Sequence, residues 1–294
     1  MKALPFKLIK TNNESFVVQV DEQAWFYDSF HQHPEIQIMY IEKGNGTVLA
    51  GDYIGNFAEG DLFIIGSNQP HVFRCSSEYY EKSDELNVRA ISVFINKDIF
   101  GKEFINLPEL SQLRHFILET DFGFKVDEPI RFEVVGLMRE IIKQKGLSRI
   151  ISLLRILKIM SEGSSIKVLS NLKTDIINES DGERINLIYQ FTLRNFKREI
   201  VLKEAASVAN MTVTSFCRYF KKRTRKNYYS FLNEIRIGYA CKLLTNGDSL
   251  ISDISFRSGY NNLSFFNRKF KEIKGMTPRE YQRNYALKDK RGLW

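Results

Sequence analysis

Residues 251–281 read ISDISFRSGYNNLSFFNRKFKEIKGMTPREY, and this stretch decides the fold of the C-terminal part of the chain. Apolar residues recur at helical spacing on both sides of Gly259, the residue type expected where a chain leaves a helix with positive φ. The spacing predicts a helix, a tight turn and a second helix, with buried stripes made of Ile251, Ile254, Phe266, Phe270 and Ile273. The signals that stop the second helix and start a third are Gly275, Thr277, Pro278 and Glu280.

The second helix of this stretch has a predicted exposed face that is mostly polar and basic. Arginine can donate two hydrogen bonds to guanine, and asparagine can form two with adenine, in the major groove of DNA. That groove is wide enough to admit an α-helix. The sequence therefore predicts a DNA-reading helix whose exposed residues are Leu263, Ser264, Asn267, Arg268 and Lys271.

A second copy of the pattern lies upstream, where residues 202–222 read LKEAASVANMTVTSFCRYFKK. Asn210 stands at the position of Gly259, and the phenylalanines, the arginine and the lysine of the later copy recur at matching positions. Residues 228–247 predict one long helix, ending at Gly247, that would separate the two reading helices by roughly one duplex turn of 34 Å. The predicted exposed face in this copy consists of Thr214, Ser215, Cys217, Arg218 and Lys221.

Many positions of the C-terminal part follow one spacing pattern, namely Arg236-Ile237, Ala240, Leu243-Leu244, Ile251, Ile254, Gly259-Tyr260, Ser264, Phe266, Arg268, Phe270, Lys271, Gly275, Thr277-Pro278 and Tyr281. In this pattern the chain resembles the AraC/XylS family of transcription regulators. The resemblance implies two helix-turn-helix subdomains whose third and sixth helices read bases. The first copy departs from the family pattern, since Asn210 and Arg225 stand where glycine is common and Tyr228 where proline is common. The implied base-reading positions are Thr214, Cys217, Arg218, Leu263, Ser264, Asn267 and Arg268.

Charge is divided unevenly along the 294 residues, whose formal net charge is +8. Residues 184–294 hold 23 Lys and Arg against 8 Asp and Glu, whereas residues 1–183 hold 20 against 27. A basic part that neutralises DNA phosphates and an acidic part that does not bind DNA would give this division. The length suits two domains, which we place at residues 1–160 and 184–294, with a polar linker at residues 161–183.

The three cysteines, Cys75, Cys217 and Cys241, have no metal-ligand spacing. Because Cys217 lies on a predicted exposed face, we interpret it as a reduced thiol, which favours a cytoplasmic location. The first residues lack the apolar core of a signal peptide, and no uncharged apolar run approaches the roughly 18 residues of a membrane helix. We therefore expect a cytoplasmic protein without a membrane partner.

The N-terminal part reads as short strands separated by glycine, asparagine and proline, which indicates a small antiparallel barrel or sandwich. Its pattern His31-Gln-His33-Pro-Glu35-Ile-Gln37, followed by Gly44, Gly60-Asp61 and Pro70-His71, resembles the cupin barrel of many sugar-responsive members of the AraC/XylS family. Helical spacing follows up to residue 160; such helices flank the barrel in that family and often form its dimer contact, or they cover one barrel opening. The predicted fold class is α+β, with a barrel followed by an all-α domain.

Three interpretations are open for the barrel histidines. Alternate residues of a strand point to one face, so His31, His33 and the carboxylate of Glu35 could converge with His71 on a metal ion. Gln37 argues against a metal, because metal-dependent cupins normally have glutamate there and an amide is a much poorer ligand for a divalent ion. The histidines could also be packing residues of an ordinary barrel. We expect instead a pocket for a small organic effector, without metal or cofactor, lined by Trp25, His31, His33, Gln37, His71 and Phe73.

Three functions fit these features. The first is a transcription regulator that binds promoter DNA, senses a small molecule such as a sugar, and acts as a homodimer. The family resemblance implies that the effector alters its DNA affinity or its contact with RNA polymerase. The second is a metal-dependent cupin enzyme with a nucleic-acid-binding tail, and the third is an architectural DNA-binding protein without an effector. We predict the first and expect no enzymatic activity.

Overall fold

The structure, a computed structural model, describes residues 14–81, 87–170, 179–245 and 250–289. The chain divides into two compact units, and the second contains Ile54–Asn56 together with the residues from Arg184 onward. Strands predominate at the start of the first unit and helices at its end, whereas the second unit has helices from residue 184 onward. The predicted α+β class is therefore confirmed.

The strands of the first unit form two sheets. One sheet has six strands in the order β1-β7-β2-β5-β8-β9, and the other has three in the order β4-β3-β6. The pairs β1–β7, β2–β7, β2–β5, β3–β6, β5–β8 and β8–β9 are antiparallel. The bounds are β1 Val17–Gln23, β2 Ile36–Lys43, β3 Gly46–Ala50, β4 Tyr53–Phe57, β5 Leu62–Ile65, β6 His71–Cys75, β7 Val88–Ile95, β8 Phe124–Val126 and β9 Ile166–Val168.

The central strands of the six-stranded sheet are buried on both faces, as β2 shows. Because side chains alternate along a strand, Ile36 and Ile38 enter one core while Met39 and Ile41 enter the other. The first core contains residues of the helices that follow β7, and the second contains residues of the three-stranded sheet. The helices of this unit are α1 Gly101–Ile105, α2 Ser111–Glu119, α3 Ile130–Ile141 and α4 Gly146–Glu162.

The predicted linker at residues 161–183 differs from the structure in its first part. Helix α4 continues to Glu162, and β9 then pairs with β8, so the six-stranded sheet extends beyond residue 160. Ser170 is buried and donates a hydrogen bond to Asp52 with an oxygen–oxygen distance of 2.6 Å. A three-residue strand is too short to show a period of two in the sequence, and its backbone bonds to β8 are invisible there. Residues 171–178 lie outside the described residues.

The second unit contains two helix-turn-helix copies separated by one long helix, α8, as predicted. Copy 1 contains α6 and α7, and copy 2 contains α9 and α10. Helix α8 is buried on several sides, since Phe231 packs on Phe220 of copy 1 and Ile237 belongs to the core of copy 2. Gly247, its predicted last residue, lies outside the described residues. The bounds are α5 Glu179–Asn195, α6 Leu202–Val208, α7 Val213–Thr224, α8 Tyr228–Thr245, α9 Ile251–Arg257, α10 Leu263–Lys274 and α11 Pro278–Asp289.

Candidate nucleic-acid interface and effector pocket

Copy 1 makes its turn with a residue other than glycine. Asn210 adopts φ of 53°, a left-handed conformation that asparagine tolerates better than most residues. The following helix α7 is capped by Thr212, whose side chain accepts a hydrogen bond from the backbone N–H of Ser215. The helix ends at Arg225, which also has a left-handed φ, of 57°, and donates its backbone N–H to the carbonyl of Lys221.

Copy 2 makes the corresponding turn at Gly259, with φ of 87°. A side chain would not fit there, since a Cβ atom would lie 2.4 Å from the carbonyl oxygen of Phe196. The Asn262 side chain caps α10 by accepting a hydrogen bond from the N–H of Phe265, with a nitrogen–oxygen distance of 2.8 Å. The predicted capping signature of α11 is also present, because the Thr277 hydroxyl accepts from the N–H of Glu280 and the Glu280 carboxylate accepts from the N–H of Thr277.

The two recognition helices, α7 and α10, each bury two phenylalanines and expose most of their basic residues. Phe216 and Phe220 of α7 are fully buried, as are Phe266 and Phe270 of α10. Residues four apart share a helix face, so the remaining positions turn outward. Of the predicted DNA-binding residues, only Ser215 is half-buried, beside its cap. The exposed ones are Thr214, Cys217, Arg218, Lys221, Leu263, Ser264, Asn267, Arg268 and Lys271.

An exposed aromatic residue on α10 was missed by the sequence analysis. Phe265 keeps 38% of its surface exposed, and the Arg268 guanidinium lies over its ring, 5.2 Å from the ring centre. Lys269 of the same face is held in an ion pair with Glu272 at 2.8 Å. The spacing of three between Phe265 and Arg268 was the available signal, because residues three apart are neighbours on a helix.

Arg236 of α8, which the sequence analysis named as a pattern position without a role, ties together backbone groups near the turn of copy 2. Its guanidinium donates hydrogen bonds to the carbonyls of Phe196, at 2.8 Å, and Arg198, at 2.7 Å. It also lies over the ring of Tyr260, 5.4 Å from the ring centre, and the Tyr260 hydroxyl donates to the Asn233 side chain. Burial lowers the pKa of Arg236 from its ordinary value. This residue therefore acts within the unit rather than on its exposed face.

The first unit contains a cavity of about 330 Å³ lined by residues of both sheets. Five of the six predicted effector residues line it, namely Trp25, His31, Gln37, His71 and Phe73. His33 is not among the lining residues; it is buried and lies behind Gln37, with Nε2 3.4 Å from the amide oxygen Oε1. Lining residues that the sequence analysis missed are Gln19, Asp21, Gln23, Phe26, Tyr27, Asp28, Met39 and Phe94.

The polar part of this cavity has an acidic and amide character. Gln19, Asp21 and Gln23 alternate along β1 and so share a face, a signal of period two that was present in the sequence. Burial raises the pKa of Asp21, and the Gln19 amide opposes that effect by donating a hydrogen bond to its carboxylate at 2.6 Å. The lining contains no lysine or arginine among the described residues. Such a site favours a ligand rich in hydroxyl groups over an anionic one.

The three histidines lie together, as the sequence predicted, although His71 is distant from the other two in the sequence. Their ring centres are 4.3 Å apart for His31 and His71 and 5.0 Å for His33 and His71. Each Nδ1 lies within hydrogen-bond distance of a backbone carbonyl. Burial lowers the pKa of all three imidazoles, to about 4 for His31 and well below the ordinary value for His71. They are therefore neutral at neutral pH.

Comparison with known protein families identifies both parts of the chain. An AraC-like ligand binding domain matches residues 14–84, and a helix-turn-helix domain matches residues 205–284. The chain belongs to the AraC/XylS family of transcription regulators. The predicted regulator function, with a DNA-binding part and a ligand-binding part, is confirmed at that level.

Similar members of the AraC/XylS family come from several bacteria. The transcriptional regulator YdeC of Bacillus subtilis strain 168 is 23% identical, over 87% of each chain. The transcriptional activator RhaR of Mannheimia succiniciproducens is 23% identical, over 88% of each chain. The lactose operon transcription activator of Staphylococcus xylosus is 28% identical, over 41% of this chain and 42% of that one.

No helix in the described part of this regulator is long and apolar enough to cross a membrane.

Proposed function

We propose that this AraC/XylS regulator binds promoter DNA in the cytoplasm through α7 and α10, and that a small organic molecule in the 330 Å³ cavity controls its activity. The observation that carries the proposal is the matched pair of recognition helices. Each buries two phenylalanines and presents an arginine, Arg218 or Arg268, to solvent. An exposed arginine on a helix of this kind can bind guanine with two hydrogen bonds.

The side chains of α7 and α10 take different roles in this proposal. Arg218, Asn267 and Arg268 contact base edges through hydrogen bonds, and Leu263 supplies an apolar contact to a thymine methyl group. Lys221 and Lys271 contact phosphates, where a point charge contributes affinity without reading the sequence. Smaller hydrogen-bonding or packing contacts come from Thr214, Ser215, Cys217 and Ser264.

The effector that best fits the cavity is a neutral sugar or a related polyol. Trp25 and Tyr27 give flat apolar surfaces, and Gln19, Asp21 and Asp28 give hydrogen-bond partners for hydroxyl groups. The name of one relative supports a sugar, since that protein is the lactose operon transcription activator. Trp25 is 44% exposed, which leaves surface for a ligand to cover.

Further parts of the proposal concern assembly and chemistry. Phe132, Leu147 and Ile151 are exposed on α3 and α4, and we assign this apolar face to a homodimer contact.

Contact with RNA polymerase is the expected route by which promoter binding alters transcription. The relatives are transcription regulators, and we propose that this chain likewise has no enzymatic activity.

Selection from random DNA with the full-length protein tests the DNA part of the proposal. The expected product is a motif with two blocks about 10 base pairs apart, one for each recognition helix. Recovery of a single block, or of no motif, contradicts reading by both helices. Loss of all sequence preference would support the alternative of an architectural protein.

Thermal unfolding of the full-length protein with a panel of sugars tests the effector part. A binding sugar raises the unfolding temperature, because a ligand that binds only the folded state stabilises it. Trp25→Ala should abolish the shift. Phe104→Ala is the matched control, because Phe104 is a partly exposed aromatic residue outside the cavity lining. An equal shift in both variants contradicts the assigned pocket.

A further inference from the structure

We propose that His31, His33 and His71 bind one divalent transition-metal ion, with zinc as the best-matched ion, beside the cavity of the first unit. The inference concerns the chemistry of these side chains and goes beyond the proposed regulation by an organic effector. The metal site and the proposed regulation can be tested separately, since metal binding needs neither DNA nor a sugar.

The first argument is distance. His31 and His71 face each other across a backbone bridge, with N–H to carbonyl distances of 3.0 Å and 2.8 Å in the two directions. Across all three imidazoles, one ligand nitrogen from each lies within 4.8 Å of the others. Nitrogen atoms around a tetrahedral zinc ion are about 3.4 Å apart, given a Zn–N bond of about 2.1 Å. Inward movements of about 1 Å therefore complete the site.

The second argument is ring orientation. The Nδ1 atoms of His31, His33 and His71 lie 2.8, 2.9 and 2.7 Å from the backbone carbonyls of Ser29, Glu35 and Gln69, respectively. A ring nitrogen beside a carbonyl must carry the proton, so Nε2 is the lone-pair atom in neutral His31 and His71. In His33 the Nε2 atom also faces an oxygen, Oε1 of Gln37 at 3.4 Å, and a metal ion would replace that contact. Metal-binding histidines almost always have this arrangement, because the outer hydrogen bond fixes the ring and the tautomer.

The choice of ion follows from the donor set. Imidazole suits zinc, copper, nickel and iron, whereas calcium and magnesium prefer oxygen. The nearest thiol, Cys75, is not a donor here, because burial raises its pKa to about 11 and its sulfur accepts the N–H of Phe26. The Gln37 amide lies between Ser92 and His33 and is a weak ligand. Three protein ligands leave a fourth position for water or a ligand oxygen.

Aromatic packing alone does not account for this cluster. His33 also packs edge-on against Phe94, at a ring-centre distance of 5.4 Å, and apolar rings would fill such contacts equally well. What packing leaves unexplained is that three imidazoles each place Nδ1 beside a backbone carbonyl and also bring one ring nitrogen apiece within 4.8 Å of the others.

Isothermal titration of zinc into tag-free, chelator-treated, full-length protein tests the site. A Cys217→Ser background removes the exposed thiol, which would otherwise bind zinc. The expected result is one ion per chain. Cobalt titration in the same background should give the visible absorption of a four-coordinate ion with nitrogen ligands. A baseline without saturable binding, or a cobalt spectrum of the hydrated ion, overturns the proposal.

Substitutions identify the ligands. His71→Ala or His31→Ala should weaken zinc binding more than about 100-fold, which exceeds the effect of losing an outer hydrogen-bond partner. His115→Ala is the matched control, because His115 is exposed on α2 and lies beside Glu119 at 3.1 Å. Unchanged affinity in the folded His31→Ala variant, or equal loss in His115→Ala, contradicts the site.

One variant keeps the test decisive if a histidine substitution prevents folding. Gln37→Glu places a carboxylate beside His33 and should raise the zinc affinity at least 10-fold, since a carboxylate is a far better ligand than an amide. Unchanged or weaker binding in folded Gln37→Glu overturns the proposal. Promoter binding and sugar-dependent shifts of the metal-free protein are measured alongside, so that failure of the proposed regulation is distinguished from failure of the metal site.

Discussion

The two helix-turn-helix copies solve the same backbone problem with different residues. Copy 1 turns at Asn210 and copy 2 at Gly259, and both residues have positive φ. The difference lies in what surrounds the turn, because the Phe196 carbonyl lies so close to Gly259 that a Cβ atom would be 2.4 Å from it. Arg236 donates to the same carbonyl. A left-handed turn tolerates asparagine, but a close backbone approach requires glycine.

The ends of the recognition helices extend this comparison. Arg225 ends α7 and Gly275 ends α10, both with left-handed φ and with the same backbone hydrogen bond to a lysine carbonyl four residues earlier. Around Gly275 there is open space for a Cβ atom. Gly275 is therefore favoured by its backbone conformation alone, whereas Gly259 is required by conformation and space together.

The largest expected effect separates the two turns. Gly259→Ala should lower the local stability of copy 2 by roughly 2–4 kcal/mol, because it combines a strained φ with a backbone clash. Asn210→Ala should lower that of copy 1 by only about 1 kcal/mol, since Asn210 already has a Cβ atom. Hydrogen exchange of the α6, α7, α9 and α10 amides measures both. Equal losses would mean that the close approach at Gly259 is unimportant.

The next effect concerns base reading. Arg268→Ala should weaken binding to the selected promoter sequence by about 1–3 kcal/mol and relax one base position. Arg218→Ala makes the same test in copy 1, and fluorescence anisotropy with selected and random DNA measures both. Arg257→Ala is the control, because Arg257 is exposed on α9 rather than on a recognition helix. Equal loss on selected and random DNA would count against base reading.

A smaller effect tests the helix ends. Arg225→Gly should raise the stability of copy 1 by up to about 1 kcal/mol, because glycine adopts the left-handed conformation without strain. Gly275→Arg should lower that of copy 2 by a similar amount. Hydrogen exchange at the C-terminal amides of α7 and α10 reports each change. A loss of stability in Arg225→Gly would reveal that its side chain contributes more than its backbone strain costs.

The smallest effect concerns phosphate contacts. Lys221→Ala or Lys271→Ala should weaken binding on all DNA sequences and reduce the slope of log affinity against log salt by about 1. Lys226→Ala is the control, because Lys226 forms an ion pair with Glu234 at 2.7 Å. Titrations at several salt concentrations give the slopes. A change confined to the selected sequence would assign the lysine to base reading instead.

The helical part was predictable because its signals are local. Phenylalanines four apart, a residue suited to positive φ and the capping pair Thr277 and Glu280 each appear within a few residues of one another. The close backbone contact that requires glycine at position 259 was not predictable, since Phe196 and Arg236 lie far from Gly259 in the sequence. The same limit hid β9, whose partner among the described strands is β8, about forty residues earlier.

The cavity was predictable in part. The pattern around His31 indicated the site, and alternation along β1 would have added Asp21. The position of His33 behind Gln37 depends on packing between strands, which period two does not encode. Sequence reasoning therefore found residues that share one strand face, but it did not show that Gln37 lines the cavity while His33 lies behind it.

Arg236 and α8 fix the spacing between the two recognition helices, α7 and α10, within the protein itself. The Arg236 guanidinium joins the backbone before α6 to the ring of Tyr260 beside α10, and α8 is packed into the cores of both copies. For a promoter that both helices read, an insertion of about 5 base pairs between the blocks would rotate one block to the opposite side of the duplex. Such a promoter keeps one point of contact, because α8 is one continuous helix from Tyr228 to Thr245 and holds both copies in its packing.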